Sequence, residues 1–404
     1  MTREINMSCQ PTSFRPIVRP GFTVCTLLAV ALIYFSCFDK AVAQSDTSLS
    51  EGAALYARVV HTAHSSDHAR NDRIIISVTA PHGDESEEDL YAGDAKTGFH
   101  LAGSIKDASF KEGLCCGTLY ELPQKVGALE AGTLLWAGSI GGRSKTIPMQ
   151  IGIYSSTDGA ASWHYLSDCA AARGPRASVG GLWEPEFTIA AGGALVCFYS
   201  DETQPHHSQL LNQVRSYDGV HWSAPEHTVA LVDPAARPGM PVVTRLKQNL
   251  YFMTYEICGT AGCSAFSRTS PDGWSWGDAA DAGRKIASQT GQYFEHAPTN
   301  TKIVLPGGKT ELVVVGQMLI EADGSTSKQN GQVLFLNDTV DGSGPWHTMK
   351  APVAVPEAYD NYCPNYSSPL LSLQHGQAIL EVASRYADKV CRMYYGTGAV
   401  LAHK

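Results

Sequence analysis

The sequence has little charge and little helical pattern. Asp, Glu, Lys and Arg make up only 17% of its 404 residues, whereas 44% are hydrophobic, which excludes disorder for most of the chain. Lys and Arg (30) are outnumbered by Asp and Glu (39), and the net charge of -9 argues against nucleic acid as a partner. Beyond the N-terminal region, no helical periodicity extends over more than three turns. With 38 Gly and 21 Pro the chain is turn-rich, and we expect a fold that is nearly all β.

A single long apolar run, from residue 21 to residue 38, lies near the N-terminus and follows three arginines. Ala41 and Ala43 then occupy the -3 and -1 positions that signal peptidase accepts. We therefore predict a signal peptide at residues 1–43, cleavage before Gln44, and a secreted or periplasmic protein without stable membrane association. Retention of the run as a membrane anchor is the alternative, since 18 apolar residues are close to the minimum for a span.

Cleavage at this site removes three cysteines and leaves eight, an even number that permits disulfides in an exported chain. Cys258 and Cys263 form the pair that is easiest to defend, because they flank Gly-Thr-Ala-Gly between two strand-like runs. The adjacent Cys115 and Cys116 leave two alternatives open. They are either two buried thiols or members of two separate bridges.

Short β-branched and aromatic runs, bounded by Gly, Pro, Asp and Ser, recur along the chain. The clearest strand candidates are residues 73–79, 133–137, 150–155, 194–200, 250–256, 310–317 and 378–384. Between two of these runs, residues 156–163 (Ser-Thr-Asp-Gly-Ala-Ala-Ser-Trp) resemble the Asp box of neuraminidase-type β-propellers. Shorter copies occupy residues 216–222 and 270–276, and eroded relatives occupy 94–99 and 341–346.

The spacing of these segments predicts the architecture. Their aspartates are 64, 60, 54 and 69 residues apart, namely Asp94, Asp158, Asp218, Asp272 and Asp341. This interval is close to the length of one four-stranded blade, and about six such units fit into residues 44–404. We predict an all-β, six-bladed β-propeller of the sialidase-like type, with four antiparallel strands per blade and a single catalytic domain. Trp163, Trp222 and Trp276 should lie in equivalent peripheral turns.

Two glutamates in apolar surroundings are the candidate catalytic residues. Glu184 lies in Trp-Glu-Pro-Glu-Phe, and Glu256 ends the apolar run that begins at Leu250, one blade later. Aromatic walls, here Trp183 and Tyr255, raise the pKa of a carboxyl group, and glycoside hydrolysis requires such a carboxyl pair. Two alternatives stay open: both acids bond turn amides, or Glu186, which shares a strand face with Glu184, is the functional acid.

The stretches 183–185, 198–202, 209–210, 237–241 and 253–256 resemble the exo-acting α-L-arabinanases, which share the six-bladed sialidase-like propeller. The resemblance covers most of residues 55–400 and implies a retaining, exo-acting hydrolase of arabinan-type glycans. It implies Glu184 and Glu256 as the catalytic pair, with Glu184 favoured as acid/base and Glu256 as nucleophile. The residues expected to contact the substrate are Trp183, Glu186, Arg58, Arg237, Tyr255 and His296.

Two other functions are weighed against this one. A sialidase binds its substrate's carboxylate with three arginines, for which Arg58, Arg237 and Arg385 are candidates, and uses a tyrosine nucleophile. Tyr359, Tyr362 and Tyr366 are the candidates for that nucleophile. A propeller that binds glycans without cleaving them is the third possibility.

Two histidine-containing loops have the residue types of metal sites. Residues 61–68 contain His61, His64, Asp67 and His68, and residues 82–89 are rich in acids. We interpret the first as a solvated loop, because its spacing aligns the side chains only on a helix, and the second as a hydrated loop rather than a calcium site. We expect a monomer with an oligo- or polysaccharide substrate and with no cofactor or metal.

Overall fold

The computed structural model describes residues 46–83 and 85–400. The predicted signal peptide lies outside the described residues. Within these ranges the chain forms β-strands joined by turns, with one four-residue α-helix, α1 (Arg176–Val179). Three 3₁₀ turns occur at His68–Arg70, Ala108–Glu112 and Gln374–Gly376. No helix of the described part combines the length and apolar character that a membrane crossing needs.

Six antiparallel sheets follow one another along the chain and form the six predicted blades. A short strand, β1 (Thr47–Ser48), precedes them. Blade 1 contains β2 (Leu55–His61), β3 (Ile74–His82), β4 (Glu85–Asp94) and β5 (Gly98–Ile105). Blade 2 contains β6 (Leu114–Glu121), β7 (Leu134–Ile140), β8 (Gln150–Ser156) and β9 (His164–Ala171). Blade 3 contains β10 (Leu182–Ile189), β11 (Leu195–Asp201), β12 (Leu210–Ser216) and β13 (Glu226–Val229).

Blades 4 to 6 repeat this pattern with one elaboration. Blade 4 contains β14 (Arg237–Lys247), β15 (Leu250–Cys258), β16 (Ser264–Ser270) and β17 (Arg284–Lys285). Blade 5 contains β19 (Thr299–Val304), β20 (Thr310–Val315), β22 (Val333–Asn337) and β23 (Trp346–Lys350). The short strands β18 (Tyr293–Glu295) and β21 (Met318–Ile320) pair with each other and extend the sheet of blade 4 through β16. Blade 6 contains β24 (Leu370–Leu373), β25 (Ala378–Ala387) and β26 (Val390–Ala399).

The N-terminal strand β1 completes blade 6 and closes the circle. Thr47 pairs with Tyr395, and Ser48 pairs with Tyr394, so the first strand is the outermost strand of the last blade. Arg385 forms an ion pair with Asp46 beside this junction. The chain is thereby locked into a ring without a free gap between its first and last blades.

The apolar core lies between neighbouring blades. Strands of each blade present side chains to the next, and each pair of adjacent blades shares a cluster of buried residues. In the cluster between blades 1 and 2, Trp136 is fully buried and its ring centroid lies 5.8 Å from that of Tyr154. Each blade is therefore apolar on both faces, as the continuous apolar strands of the sequence predict.

The Asp boxes lie where the spacing predicts. All five aspartates lie in the turn between the third and fourth strands of a blade, those of blades 1 to 5. Asp272 accepts hydrogen bonds from the N–H groups of Trp274 (2.9 Å) and Ser275 (2.6 Å), which closes the turn. Trp163, Trp222 and Trp276 pack onto the clusters between blades at equivalent positions, so that prediction is confirmed.

Each blade has a left-handed residue in its inner strand or, in blades 5 and 6, just before that strand. The backbone φ angles are between 47° and 62°, and none of the six residues is glycine. In blades 1 to 4 the residue falls within a β-bulge of the innermost strand. We call these residues the left-handed ring: Tyr56, Cys116, Glu184, Met240, Ala297 and Ser367. A bulge bends its strand and re-aims the side chain, here at the end of the channel where the candidate site lies.

The eight cysteines of the described residues are all paired. Cys258 and Cys263 form the predicted bridge. Both alternatives for Cys115 and Cys116 are wrong, because these neighbours are bonded to each other, in the bulge of β6. The other two bridges join Cys169 to Cys197 and Cys363 to Cys391.

Candidate active site

Glu184 lies in the left-handed ring at the start of β10. Its Oε2 accepts hydrogen bonds from the Ser200 hydroxyl (2.6 Å) and from the backbone N–H of Met240 (2.9 Å). Its own N–H donates to the Ser139 hydroxyl of the preceding blade (3.3 Å). The carboxylate is thus held by groups from its own blade and the next, and its backbone by the blade before it.

Glu256 lies on β15, the second strand of blade 4, and is buried. Its Oε2 accepts a hydrogen bond from the N–H of Ala297, the ring residue of blade 5 (2.7 Å). The disulfide sulfur of Cys258 lies 3.4 Å from Oε1. His296 Nδ1 lies 3.8 Å from Oε2. Glu256 therefore has one strong donor, where Glu184 has two.

The two glutamates belong to one site. Glu256 pairs across the sheet with Gly239, and a Cβ atom added to Gly239 would lie 3.3 Å from Glu184 Oε2. The negative charges of both glutamates raise the pKa of the buried Tyr366 phenol, after burial itself. The charge of Glu184 likewise contributes to the raised pKa of Glu256. The pocket thus contains two carboxyl groups close enough to influence each other's ionisation.

Their environments make the two acids unequal. Burial, followed by the charge of Glu184, raises the pKa of Glu256 to about 8. Burial also raises the pKa of Glu184, but the hydrogen bonds from Ser200 and Met240 favour its ionised form. This order favours the protonated form of Glu256 more strongly than that of Glu184, whereas the sequence favoured Glu184 as the acid.

Glu186 does not share the environment of Glu184. The bulge between Trp183 and Glu186 shifts the register, so residues two apart no longer present the same face in the same way. Glu186 accepts hydrogen bonds from Thr118 (2.9 Å) and from the N–H of Val243 (3.2 Å). Burial raises its pKa to about 7. It lines a cavity of about 490 Å³ along the channel axis, to which all six inner strands contribute.

Three of the predicted substrate-binding residues surround the glutamates. Trp183 packs with the ring residues, and the Arg176 guanidinium lies 4.7 Å above its ring. Arg237 donates to Glu202 (2.5 Å) and to the Gln209 side chain (2.8 Å). His296 has a lowered pKa because it is buried, and its Nε2 lies 3.7 Å from Asp360 Oδ1.

Arg58 follows the ring residue Tyr56 by two positions and is buried. It donates to the Ser367 hydroxyl (2.9 Å), and its guanidinium covers the Tyr56 ring at 4.4 Å. Its positive charge acts on both Glu184 and Glu186, lowering their pKa values against the effect of burial. Arg58 is therefore an electrostatic neighbour of the site.

The prediction for Tyr255 is wrong. Its side chain is fully buried between blades 3 and 4, because neighbouring residues of a strand point to opposite faces and Glu256 takes the channel side. Its hydroxyl donates to the carbonyl of Ala282 (2.8 Å) and accepts from Arg268 (3.1 Å). The aromatic side chain that lies near both glutamates is instead Tyr366.

The three arginines of the sialidase interpretation have separate partners. Arg385 is paired with Asp46 beside the outer strand, Arg237 with Glu202, and Arg58 with Ser367. Tyr366 has a pKa well above its ordinary value because it is buried beside negative charge, so its phenol is not activated as a nucleophile.

Sequence reasoning missed the groups that hold the carboxylates. Ser200 follows the apolar run of β11 and gives a weak signal, as a hydroxyl at a strand end one blade before Glu256. The N–H groups of Met240 and Ala297 give none, because backbone donors are common to nearly every residue. Asp360 lies in an irregular segment whose position the sequence does not define.

Two groups of described side chains have the spacing of metal ligands. The first contains Cys258, Cys263 and His296, but its sulfurs are joined in a disulfide and are not thiolates. The second contains His82, Glu87 and Asp89, and the Lys106 ammonium already lies 2.8 Å from Glu87. In the other predicted loop, Asp67 caps a 3₁₀ turn and His64 Nδ1 lies 3.0 Å from Glu121.

The ring of blades, with Asp-box residues in its outer turns, defines the chain as an all-β, six-bladed β-propeller. No protein-family model and no curated protein sequence matches the chain. Solved structures do match its fold. An α-L-arabinanase of Penicillium chrysogenum, complexed with arabinobiose, has a TM-score of 0.71 and 23% identity over 88% of this chain and 98% of its own.

Two further structures are similar. A GH93 α-L-arabinofuranosidase of Fusarium graminearum, also with arabinobiose, has a TM-score of 0.70 and 21% identity over 88% of this chain and 98% of its own. A sialidase of Streptococcus pneumoniae has a TM-score of 0.54 and 11% identity over 88% of this chain and 70% of its own. At these identities the likeness establishes the fold, which confirms the predicted architecture.

Proposed function

We propose that the chain is a secreted glycoside hydrolase that cleaves arabinan-type glycans from the chain end and retains the anomeric configuration. The observation that carries this proposal is the pair of a half-buried Glu184 and a buried Glu256, which lie in one pocket with unequal surroundings. Hydrolysis of a glycosidic bond requires one protonated and one ionised carboxyl group on either side of that bond. The two arabinan-active neighbours, both complexed with arabinobiose, support the substrate class.

The hydrogen bonds support Glu184 as the nucleophile. Its carboxylate attacks the anomeric carbon, the bond to the leaving oxygen breaks, and the proton of Glu256 passes to that oxygen. The Glu256 carboxylate then takes a proton from water, the water oxygen bonds to the anomeric carbon, and Glu184 is released. This assignment reverses the one that the sequence favoured, because Glu256 has the pKa of an acid that is protonated at neutral pH.

The closed floor of the pocket supports action at the chain end. The phenols of Tyr56 and Tyr366 both contact the Met240 sulfur, at 3.7 and 3.8 Å, and Tyr56 and Met240 are buried next to Glu184. A glycan that enters such a pocket cannot pass through it, so its terminal sugar is the one that reaches the glutamates.

The experiment is a substrate screen with the purified mature protein on aryl α-L-arabinofuranoside, debranched arabinan and aryl sialoside. The proposal is supported if arabinose units are released from the chain end and the polymer is not shortened at random positions during the reaction. Release of sialic acid would replace it with the sialidase function. Glycan binding that persists in Glu184→Gln/Glu256→Gln, with no turnover by the unmodified protein, would identify a non-catalytic propeller.

A further inference from the structure

Three exposed tyrosines form a surface patch that the proposed chemistry does not use. Tyr359 and Tyr362 are 50% and 62% exposed in the irregular segment before β24, and Tyr386 is 39% exposed at the end of β25. We call these three residues the tyrosine patch. Large aromatic side chains at such exposure are typical of surfaces that contact a ligand.

The three phenols are neighbours. The Tyr386 hydroxyl donates to the Asn361 side-chain oxygen at 2.9 Å, between the two other tyrosines in sequence. Partial burial and then the phenols of Tyr362 and Tyr359 raise the pKa of Tyr386 to about 12. The patch is therefore one continuous aromatic surface and not three isolated side chains.

The segment that carries the patch is firmly attached to the propeller. Cys363 is bonded to Cys391 of β26, and the Gln317 amide donates to the Pro364 carbonyl at 3.0 Å. The Gln317 amide also donates to the carbonyl of Asn361. A surface held in place before a ligand arrives loses little conformational entropy on binding.

The patch continues into the candidate active site. Asp360 lies between Tyr359 and Asn361 in sequence, and its Oδ1 is 3.7 Å from His296 Nε2. The other ring nitrogen of His296 is 3.8 Å from Glu256 Oε2. A single histidine thus separates the segment of the patch from the carboxyl group proposed as the acid.

We propose that the tyrosine patch binds the neutral sugars that extend from the pocket when the terminal sugar lies between Glu184 and Glu256. This inference rests on the proposed function. The apolar C–H face of a sugar packs on an aromatic ring, and the phenol and Asp360 offer partners to its hydroxyl groups. The exposed Asp360 carboxylate and the net charge of -9 disfavour an anionic glycan at this surface.

The patch makes the enzyme sensitive to chain length. An aryl α-L-arabinofuranoside fills the pocket but does not reach the patch, whereas a longer arabino-oligosaccharide contacts both. KM should therefore fall as the oligosaccharide lengthens, and kcat should change little, because the patch binds the ground state and the transition state equally.

The test compares Tyr359→Ala/Tyr362→Ala with Tyr217→Ala. Tyr217 is a matched control because it is 63% exposed in the Asp-box turn of blade 3. We expect the double variant to raise KM for the longest arabino-oligosaccharide at least about tenfold, which corresponds to about 1.4 kcal/mol, and to leave kinetics on the aryl substrate unchanged. Tyr217→Ala should behave as the unmodified protein on both substrates.

An unchanged length dependence in the double variant, with an unchanged Tm, would overturn the inference. Activity on the aryl arabinofuranoside tests the proposed function separately, because that substrate does not reach the patch. If the aryl arabinofuranoside is not cleaved, calorimetric titration of the unmodified protein and of the double variant with arabino-oligosaccharide tests the patch by its binding affinity. Weaker binding by the double variant supports the patch; equal binding, no binding by either protein, or tighter binding of a sialyl oligosaccharide refutes it.

Discussion

The carboxylate of Glu184 accepts a hydrogen bond of 2.9 Å from the backbone N–H of Met240, the residue at the equivalent ring position of the next blade. Glu256 is held in a related way, by the N–H of the next ring residue, Ala297. A bulge releases a backbone N–H from the sheet ladder, so it can serve as a donor to a side chain. The bulge of blade 4 therefore supplies a donor to Glu184, and the left-handed residue just before the inner strand of blade 5 supplies the donor to Glu256.

The first prediction concerns the two acids. Glu256→Gln should lower kcat/KM by at least about 100-fold on a substrate with a poor leaving group, because the proton donor is lost. In the unmodified enzyme, kcat/KM should fall as the pH rises through about 8, where Glu256 loses its proton, and the variant should lack this limb. Rates of arabinan hydrolysis across the pH range provide the measurement.

Azide distinguishes the two roles by stereochemistry. If Glu184 is the nucleophile, Glu184→Gln with azide should give a glycosyl azide of inverted configuration, since azide attacks the substrate directly. Glu256→Gln should give the retained configuration, since azide attacks a glycosyl-enzyme. The exchanged pattern in proton NMR spectra would restore the assignment that the sequence favoured.

Retention itself is a separate prediction about distance. A retaining enzyme needs its carboxyl groups about 5–5.5 Å apart, whereas an inverting enzyme needs roughly 6.5–9.5 Å to admit water. We expect the shorter separation for Glu184 and Glu256, and hence a first product with the configuration of the substrate. NMR spectra recorded before mutarotation show which anomer forms first. An inverted first product would rule out the covalent intermediate.

Gly239→Ala probes the space between the two acids. The added Cβ would lie 2.5 Å from the Gln209 amide nitrogen and 3.3 Å from Glu184 Oε2, so both side chains have to shift. We expect kcat/KM to fall at least about tenfold, because small displacements of catalytic groups are costly. Gly192→Ala is the control, since its Cβ would meet no atom within 4 Å. Equal activity of the two variants would show that this space tolerates a methyl group.

The sequence predicts the architecture well, and the reason is physical. Asp-box turns are local, since Ser270, Asp272 and the following amides form hydrogen bonds within six residues of one another. The turn can therefore be recognised from the sequence alone. The strands between these turns are apolar on both faces and can be predicted from the sequence equally well. The spacing of the turns then gives the number of blades.

The details of the site are harder to predict from the sequence, because they depend on hydrogen-bond partners that are distant along the chain. The backbone donors to Glu184 and Glu256 lie 56 and 41 residues away from them in sequence. Sequence rules expect glycine or asparagine at a positive φ, so a left-handed Glu184 or Cys116 is not anticipated. The error for Tyr255 has a different origin, since successive residues of a strand face opposite sides, whereas the prediction places Tyr255 and Glu256 in the same site.

The bridge between Cys115 and Cys116 is expected to affect activity more than stability. It closes no loop of chain, so it constrains the unfolded state very little. Cys116 belongs to the ring, and Cys115 pairs with Ser139, whose hydroxyl accepts the Glu184 N–H. Cys115→Ala/Cys116→Ala should therefore lower kcat/KM about tenfold and change the Tm by only a few degrees.

The matched control for that variant removes the bridge between Cys169 and Cys197, which are 28 residues apart and lie in the core between blades 2 and 3. Its loss should cost about 2–5 kcal/mol of stability and leave kcat/KM unchanged at low temperature. If the first variant loses stability and keeps its activity, the adjacent bridge is structural.

Buried carboxyl groups make the stability of the propeller depend on pH. Burial raises the pKa of Glu381 to about 8, and it also raises those of Glu88 and Glu256 to about 8. In the unfolded chain a glutamate titrates near 4.5, so the folded state holds these protons more tightly. The stabilisation is complete below pH 4.5 and is lost as the pH rises through about 8.

Glu381→Gln isolates one of these groups, because it keeps a neutral oxygen that can accept the hydrogen bond from the Val353 N–H (2.8 Å). In the unmodified protein we expect the Tm to fall by at least about 5 °C between pH 5 and pH 8.5, since each pKa unit is worth about 1.4 kcal/mol. The variant should retain a higher Tm at pH 8.5 and show a smaller decrease. Glu51→Gln, at an exposed position, should leave the pH dependence of the Tm unchanged. Scanning calorimetry of the three proteins at both pH values measures these changes in Tm, and an equal pH dependence of the Tm in the two variants would contradict the prediction for Glu381.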